Sequence, residues 1–143
     1  MFIHKIFHLH LPVTQARESV REMGVCNGSD HGIEVTCTRD EPGGHSRLEM
    51  RTDLGQRIAA EIEEIPGDDP NRILFRSVAG SLELAGMVEL FPIRPNLTEA
   101  VLTVECEPAS PLRKAIETMS ATVDRFINRQ LVRAELCTAP ARY

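Results

Sequence analysis

The chain contains no tryptophan and only four cysteines, none of them in a Cys-x-x-Cys pair. Cys26, Cys37, Cys106 and Cys137 are too scattered for a zinc knuckle or a dithiol redox motif, and they read as reduced thiols that fill space as small apolar residues. Basic residues are not concentrated anywhere and the net charge is -5. Phosphate neutralisation needs clustered Lys and Arg, so nucleic acid is not an expected partner. No apolar run approaches the roughly 20 residues of a membrane span. Met1-Phe2-Ile3-His4-Lys5 lacks the charged start, apolar core and cleavage site of a signal peptide, which makes a cytoplasmic location the expectation. A Gly-x-Ser-x-Gly elbow is missing, and Gly80 to Gly86 lacks the Lys-Ser/Thr ending of a phosphate-binding loop.

What is present is ordinary for a folded protein. Of 143 residues, 42% are hydrophobic and 26% charged, enough to bury about two-thirds of the surface of the unfolded chain. Without repeats, low-complexity tracts or a linker, residues 1–143 read as one domain.

Alternation marks a first strand over Ile3–Leu11, with Phe7, Leu9 and Leu11 on one face and His4, His8 and His10 on the other. Pro12 closes it, Thr14 can cap a short helix running to about Met23, and Gly24 stops that helix. Cys26-Asn27-Gly28-Ser29-Asp30 has the composition of a loop. Short alternating segments follow: Ile33, Val35 and Cys37; Leu48 and Met50; Ile58, Ala60 and Ile62; Ile73 to Val78; Leu82 to Phe91 with Leu84, Val88 and Leu90 aligned; and Leu97 to Cys106 with Ala100, Leu102 and Val104 inward. Turn chemistry at Asp40–Gly44, Pro66–Asn71 and Pro92–Asn96 joins several of them. Connections this short suit antiparallel hairpins, because parallel strands need crossovers of a dozen residues or more.

The end of the chain is the best-defined element. Pro108 ends the last strand, Ser110 can cap a helix and Pro111 suits its first position. Leu112, Ala115, Ile116, Met119, Val123, Phe126, Ile127 and Ala134 then fall on one stripe at 3.6-residue spacing, through about Leu136. Arg129 and Arg133 flank it, where their stems can pack while the guanidinium groups stay wet.

This order is α+β: strand, short helix, six strands in hairpins, one long helix. It resembles the helix-grip fold of the START-like superfamily, also called SRPBCC, which includes polyketide cyclase/dehydrase-like proteins. The most specific stretch is Leu82 to Arg133, where two amphipathic strands around Phe91-Pro92-Ile93-Arg94-Pro95-Asn96 lead through Pro108 and Pro111 into the helix. The resemblance implies a curved seven-stranded antiparallel sheet wrapped around the C-terminal helix. It also implies an elongated cavity between them for lipids, polyketides or other apolar molecules. Relatives commonly carry a second helix after the first; the short stretch from Met23 to Ile33 leaves little room for one, so a reduced gate and a small cavity are expected.

On this reading the cavity is lined by Phe7, Leu9, Val35, Met50, Ile62, Leu84, Val88, Leu102, Met119, Val123, Phe126 and Ile127, with two polar candidates. Gln130 falls within the apolar stripe, where a buried amide needs a partner in the protein or in a ligand. Arg76 could hold a carboxylate or phenolate if its strand turned that face inward, and the pattern of Ile73 to Val78 does not say which face that is.

Other constellations have ordinary explanations. His4, His8 and His10 read as a solvated strand face and not a metal site. Ser29-Asp30-His31 holds the residue types of a hydrolase triad, but three consecutive residues cannot adopt triad geometry. Cys26 has no histidine placed beside it, and Glu61/Glu63 and Glu83/Glu89 lie on outward faces. No metal, cofactor or catalytic residue is assigned. The expected partner is a small apolar molecule; homodimerisation is left open. Three functions fit: a binding module, a cyclase or dehydratase using groups such as Gln130, Arg76, Glu64 or His31, and a protein-interaction module without a ligand. One scaffold hosts many functions, so the fold does not choose among them.

Overall fold

A computed structural model describes residues 2–22, 26–30, 33–40, 45–52, 55, 57–108 and 113–138. The alternation at the start becomes β1 (Phe2–Leu9), in which Ile3, Phe7 and Leu9 are buried and the histidines face out. Helix α1 (Val13–Glu22) starts directly after Pro12, whose carbonyl accepts the amide of Ala16 at 2.8 Å. The chain then forms β2 (Cys26–Asp30), β3 (Ile33–Asp40), β4 (His45–Thr52), β5 (Arg57–Ile65), β6 (Arg72–Gly80), β7 (Leu82–Arg94) and β8 (Leu97–Pro108), and ends in α2 (Arg113–Thr138). Ser110, Pro111, Gly24 and residues 41–44, where the sequence suggests helix ends and a turn, lie outside the described residues.

All neighbours in the sheet are antiparallel, in the order β1-β8-β7-β6-β5-β4-β3-β2. After β1 the chain passes through α1 to the far edge and returns by consecutive hairpins until β8 pairs with β1. The curled sheet and the C-terminal helix make the helix-grip α+β fold that the sequence suggests. One strand more is present than the seven expected, because Cys26–Asp30 is extended and pairs along its length with β3. Turn-forming composition is a local preference, and ladder hydrogen bonds at the sheet edge outweigh it here.

Two register shifts curve the sheet, at Glu61/Ile62 between β5 and β6 and at Pro92/Arg94 between β7 and β8. An extra residue in one strand bends it and increases its twist. Beside the first shift, Gly80 has φ +113°, and a Cβ there would collide with the carbonyl oxygen of Ala59. Ser81 fixes this corner, donating its amide to the Ala59 carbonyl at 2.9 Å and accepting the Ala59 amide on Oγ at 3.2 Å.

The buried residues fall into two groups. Phe7, Leu9, Ala16, Ile73, Val88, Leu90, Ala100 and Leu131 pack beneath α1, while Val35, Met50, Ile58, Ala60, Leu82, Leu84, Cys106 and Phe126 pack toward the β2–β5 side. Thr98, with no exposed surface, donates Oγ1 to the Leu11 carbonyl at 2.9 Å and so ties the start of β8 to the turn before α1.

The long helix lies beside β1 and runs in the same direction. Lys5 Nζ meets Asp124 at 2.7 Å, the His8 amide donates to Glu135 Oε1 at 2.9 Å, and the His10 amide donates to Thr138 Oγ1 at 3.2 Å. An edge strand presents unpaired amides that invite another chain, and covering the edge removes that hazard. Side chains of α2 do this for β1. Among the described residues, no helix is long and apolar enough to cross a membrane.

Candidate functional site

Because β-strand side chains alternate and the sheet curls, the inward residues of β1 and β3–β8 converge on one space beneath α2. A half-open cavity of about 350 Å³ lies there. This is near the lower end of the range of small-molecule sites, about 300–1,000 Å³. Phe7, Val35, Met50, Ile62, Leu84, Val88, Leu102, Phe126, Ile127 and Gln130 line it. Leu9 does not reach the wall: it is wholly buried in the group beneath α1. The side chains of Met119 and Val123 lie outside what is described.

Arg76 is corrected as a lining residue. Strand β6 turns Ile73 and Phe75 into the cavity, and period-two alternation leaves Arg76 exposed on the opposite face. The Ser77 hydroxyl on the inner face accepts the Leu84 amide at 3.0 Å, holding β6 to β7 beyond their regular ladder. Room for Phe75 comes from Gly86 opposite it: a Cβ at position 86 would strike the ring and come within 3.0 Å of the Thr103 carbonyl.

The apolar wall carries a few polar groups. Gln130 projects into the cavity from α2, half-buried, and among the described residues its amide has no hydrogen-bond partner. Arg21 on α1 reaches Glu64 on β5, donating Nε and Nη2 to Oε1 at 3.2 and 3.1 Å and Nη2 to Oε2 at 3.3 Å. Its Nη1 meets Glu18 Oε1 at 2.9 Å. Both Arg21 and Glu64 line the cavity with about a quarter of their side-chain surface exposed. Ser46, opposite Ile62 in the β4–β5 ladder, adds a hydroxyl, and Arg47 stands exposed at the rim.

Arg21 and Ser46 were not found by sequence reasoning. Arg21 looks like a solvated position on a short helix, and nothing local signals a partner 43 residues away. Leu131, Phe75 and Cys106 also line the cavity and were not singled out. Leu131 could have been, since it continues the α2 stripe one turn beyond Ile127.

Other marked residues lie apart from the cavity. His8 Nε2 pairs with Glu99 at 3.2 Å on the outer face and His4 Nδ1 meets Thr103 Oγ1 at 3.3 Å. Arg72 meets Glu89 at 3.6 Å, also on that face. The side chains of Cys26, Ser29 and Asp30, and His31 as a whole, lie outside what is described. Burial pushes the Cys106 thiol up from its ordinary value, which keeps it protonated and weakly nucleophilic.

No protein-family model matches the chain, and no curated protein matches its sequence. Solved structures do share its shape. A START superfamily protein from Mycobacterium smegmatis superposes with a TM-score of 0.61 at 12% identity, over 96% of this chain and 99% of that one. The Zhui aromatase/cyclase of a Streptomyces species gives 0.56 at 17% identity, over 94% and 93%. A point mutant of Thalictrum flavum norcoclaurine synthase, solved with a transition-state analogue, gives 0.56 at 9% identity, over 97% and 96%. The chain therefore has a START-like, or SRPBCC-like, fold. Identities this low carry the fold and nothing finer.

Proposed function

We propose that this protein binds one apolar or amphipathic small molecule, of lipid, polyketide or aromatic type, in the cavity between sheet and C-terminal helix. The observation that carries the reading is a cavity of about 350 Å³ with nearly all-apolar walls, into which Gln130 brings an amide lacking a partner among the described residues. An apolar body gains from leaving water at roughly 25 cal/mol per Å². A polar head that hydrogen-bonds Gln130 offsets the cost of its own desolvation.

Charge favours a neutral head, such as a hydroxyl or carbonyl. Arg21 is already matched by Glu64 and Glu18, so that wall offers no uncompensated cation to a carboxylate. Arg47 is at the rim, where solvent screens it. A matched series tests this: decan-1-ol, decanoate and decylamine compared by thermal shift and native mass spectrometry. Decan-1-ol should form a 1:1 complex and raise Tm most. Stronger stabilisation by decanoate would contradict the head-group assignment, and no complex with any of the three would contradict the cavity reading.

An enzyme of the cyclase or dehydratase kind is the second reading, favoured by the likeness to an aromatase/cyclase. Its candidate groups are Gln130 and Glu64. General acid-base work needs a carboxylate free to take a proton, whereas both Glu64 oxygens already accept from Arg21. Binding without turnover is therefore the better-supported function. We place it in a single domain, residues 1–143, acting in the cytoplasm.

A further inference from the structure

The polar side chains on the cavity wall divide by whether the protein already satisfies them. Arg21 and Glu64 hold each other, and Glu18 takes a further N–H of Arg21. Arg47 stands in solvent at the rim. Gln130 and Ser46 are different. Both line the cavity half-buried, and neither side chain has a hydrogen-bond partner among the described residues. An apolar body pressed over either group would strand it without a hydrogen bond, which costs more than the bond itself is worth.

The two groups also stand on facing walls. Helix α2, which carries Gln130, lies against β1 and β8 at one end of the strand order and against β2 at the other. A sheet whose two ends close on one helix turns its middle strands toward that helix from across the enclosed space. Ser46 is on β4, beside that middle, and sits opposite Ile62 of β5. Its hydroxyl and the Gln130 amide therefore approach a ligand from different sides. Leu48, the next inward residue of β4, and Ile62 make the wall around Ser46 apolar.

We propose that the ligand carries two neutral polar groups joined by an apolar body, one bound by the Gln130 amide and the other by the Ser46 hydroxyl. The inference rests on the cavity being the binding site and narrows the class of molecule it takes. Long-chain diols, hydroxyketones and aromatic skeletons hydroxylated at both ends belong to that class; singly headed lipids do not. An amide and a hydroxyl each donate and accept, so each matches a hydroxyl or a carbonyl equally well. Charge at the Ser46 end is balanced, because Arg21 neutralises Glu64, and a neutral group is favoured there too. A ligand that meets both groups leaves no polar atom of the wall stranded, whereas one with a single head satisfies one wall and covers the other.

Calorimetric titration of the full chain with two matched series, straight-chain alkan-1-ols and α,ω-alkanediols from hexane to decane, tests the assignment. The monoalcohols should tighten steadily with each added methylene. The diols should instead pass through an optimum length, set by the span between Gln130 and Ser46. At that optimum the diol should bind at least about fivefold tighter than the monoalcohol of equal length, the worth of one more hydrogen bond. Ser46→Ala should bring this ratio to about one or below and abolish the optimum, and Gln130→Leu should do the same from the other wall. The comparison within the wild-type protein decides the matter even where a variant does not fold. Monoalcohols that bind as tightly as their diols at every length, or a diol advantage that Ser46→Ala retains, would overturn the two-group assignment and leave the cavity reading standing. Binding of neither series would overturn the cavity reading, and this inference with it.

Discussion

Gln130 and Gly86 shape the cavity in opposite ways, one by offering a group and one by withholding it. Removing the amide in Gln130→Leu should weaken a neutral alcohol by roughly 2- to 12-fold, the worth of one hydrogen bond, while leaving Tm equal or higher because no partner in the described protein is lost. An unchanged Kd for decan-1-ol by calorimetry would remove Gln130 from the site. Gly86→Ala should cost about 1–3 kcal/mol in chemical denaturation and reduce ligand capacity, since the added methyl forces the Phe75 ring out of its place. A neutral effect on both would mean that the ring moves freely. At this scale the sequence was partly legible. Gln130 stands out as an amide on an apolar stripe, and Phe126 and Ile127 by their period. The Arg21–Glu64 pair was invisible, because contacts between α1 and β5 depend on how the sheet curls, which no local pattern encodes.

Between elements, the contact of α2 with β1 matters most. Three polar attachments, Lys5–Asp124, His8–Glu135 and His10–Thr138, hold the helix along an edge whose amides would otherwise be bare. Glu135→Ala should destabilise the fold by about 0.5–1.5 kcal/mol and increase hydrogen exchange at the His8 amide; unaltered exchange there would show that the carboxylate does not protect the edge. The helix and most strands were readable from 3.6- and 2-residue periods, because burial on one face imposes those periods directly. Strand β2 was not. Asn27-Gly28-Ser29-Asp30 carries the chemistry of a turn, and only pairing with β3 makes it extended. The inward face of β6 was equally unreadable, since Ile73/Phe75 and Leu74/Val78 are both apolar sets. Burial of Ile73 and exposure of Val78 decide it.

For the molecule as a whole, acid stability and ligand capacity are the properties to measure. The hydrogen bond from Arg51, with Arg51 and Arg57 charges beside it, holds the Glu49 carboxyl below the usual carboxylate range. A carboxyl lowered in the folded state stabilises that state above its unfolded pKa, and the contribution is lost as pH falls through the folded value. Glu49→Gln should therefore lower Tm slightly at pH 6 and lose that difference toward pH 3, in low salt; a difference that persists at pH 3 would contradict the assignment. The central question is whether the space beneath α2 takes an apolar molecule. Methyl-region NMR during titration with a neutral fluorophore, 1-aminoanthracene, answers it most directly. Saturable shifts should concentrate on Val35, Leu84, Val88, Leu102 and Ile127, which face the cavity, and spare Ile6, Val132 and Leu136, which are exposed on the outside. Shifts confined to those outer methyls, or none that saturate, would contradict it.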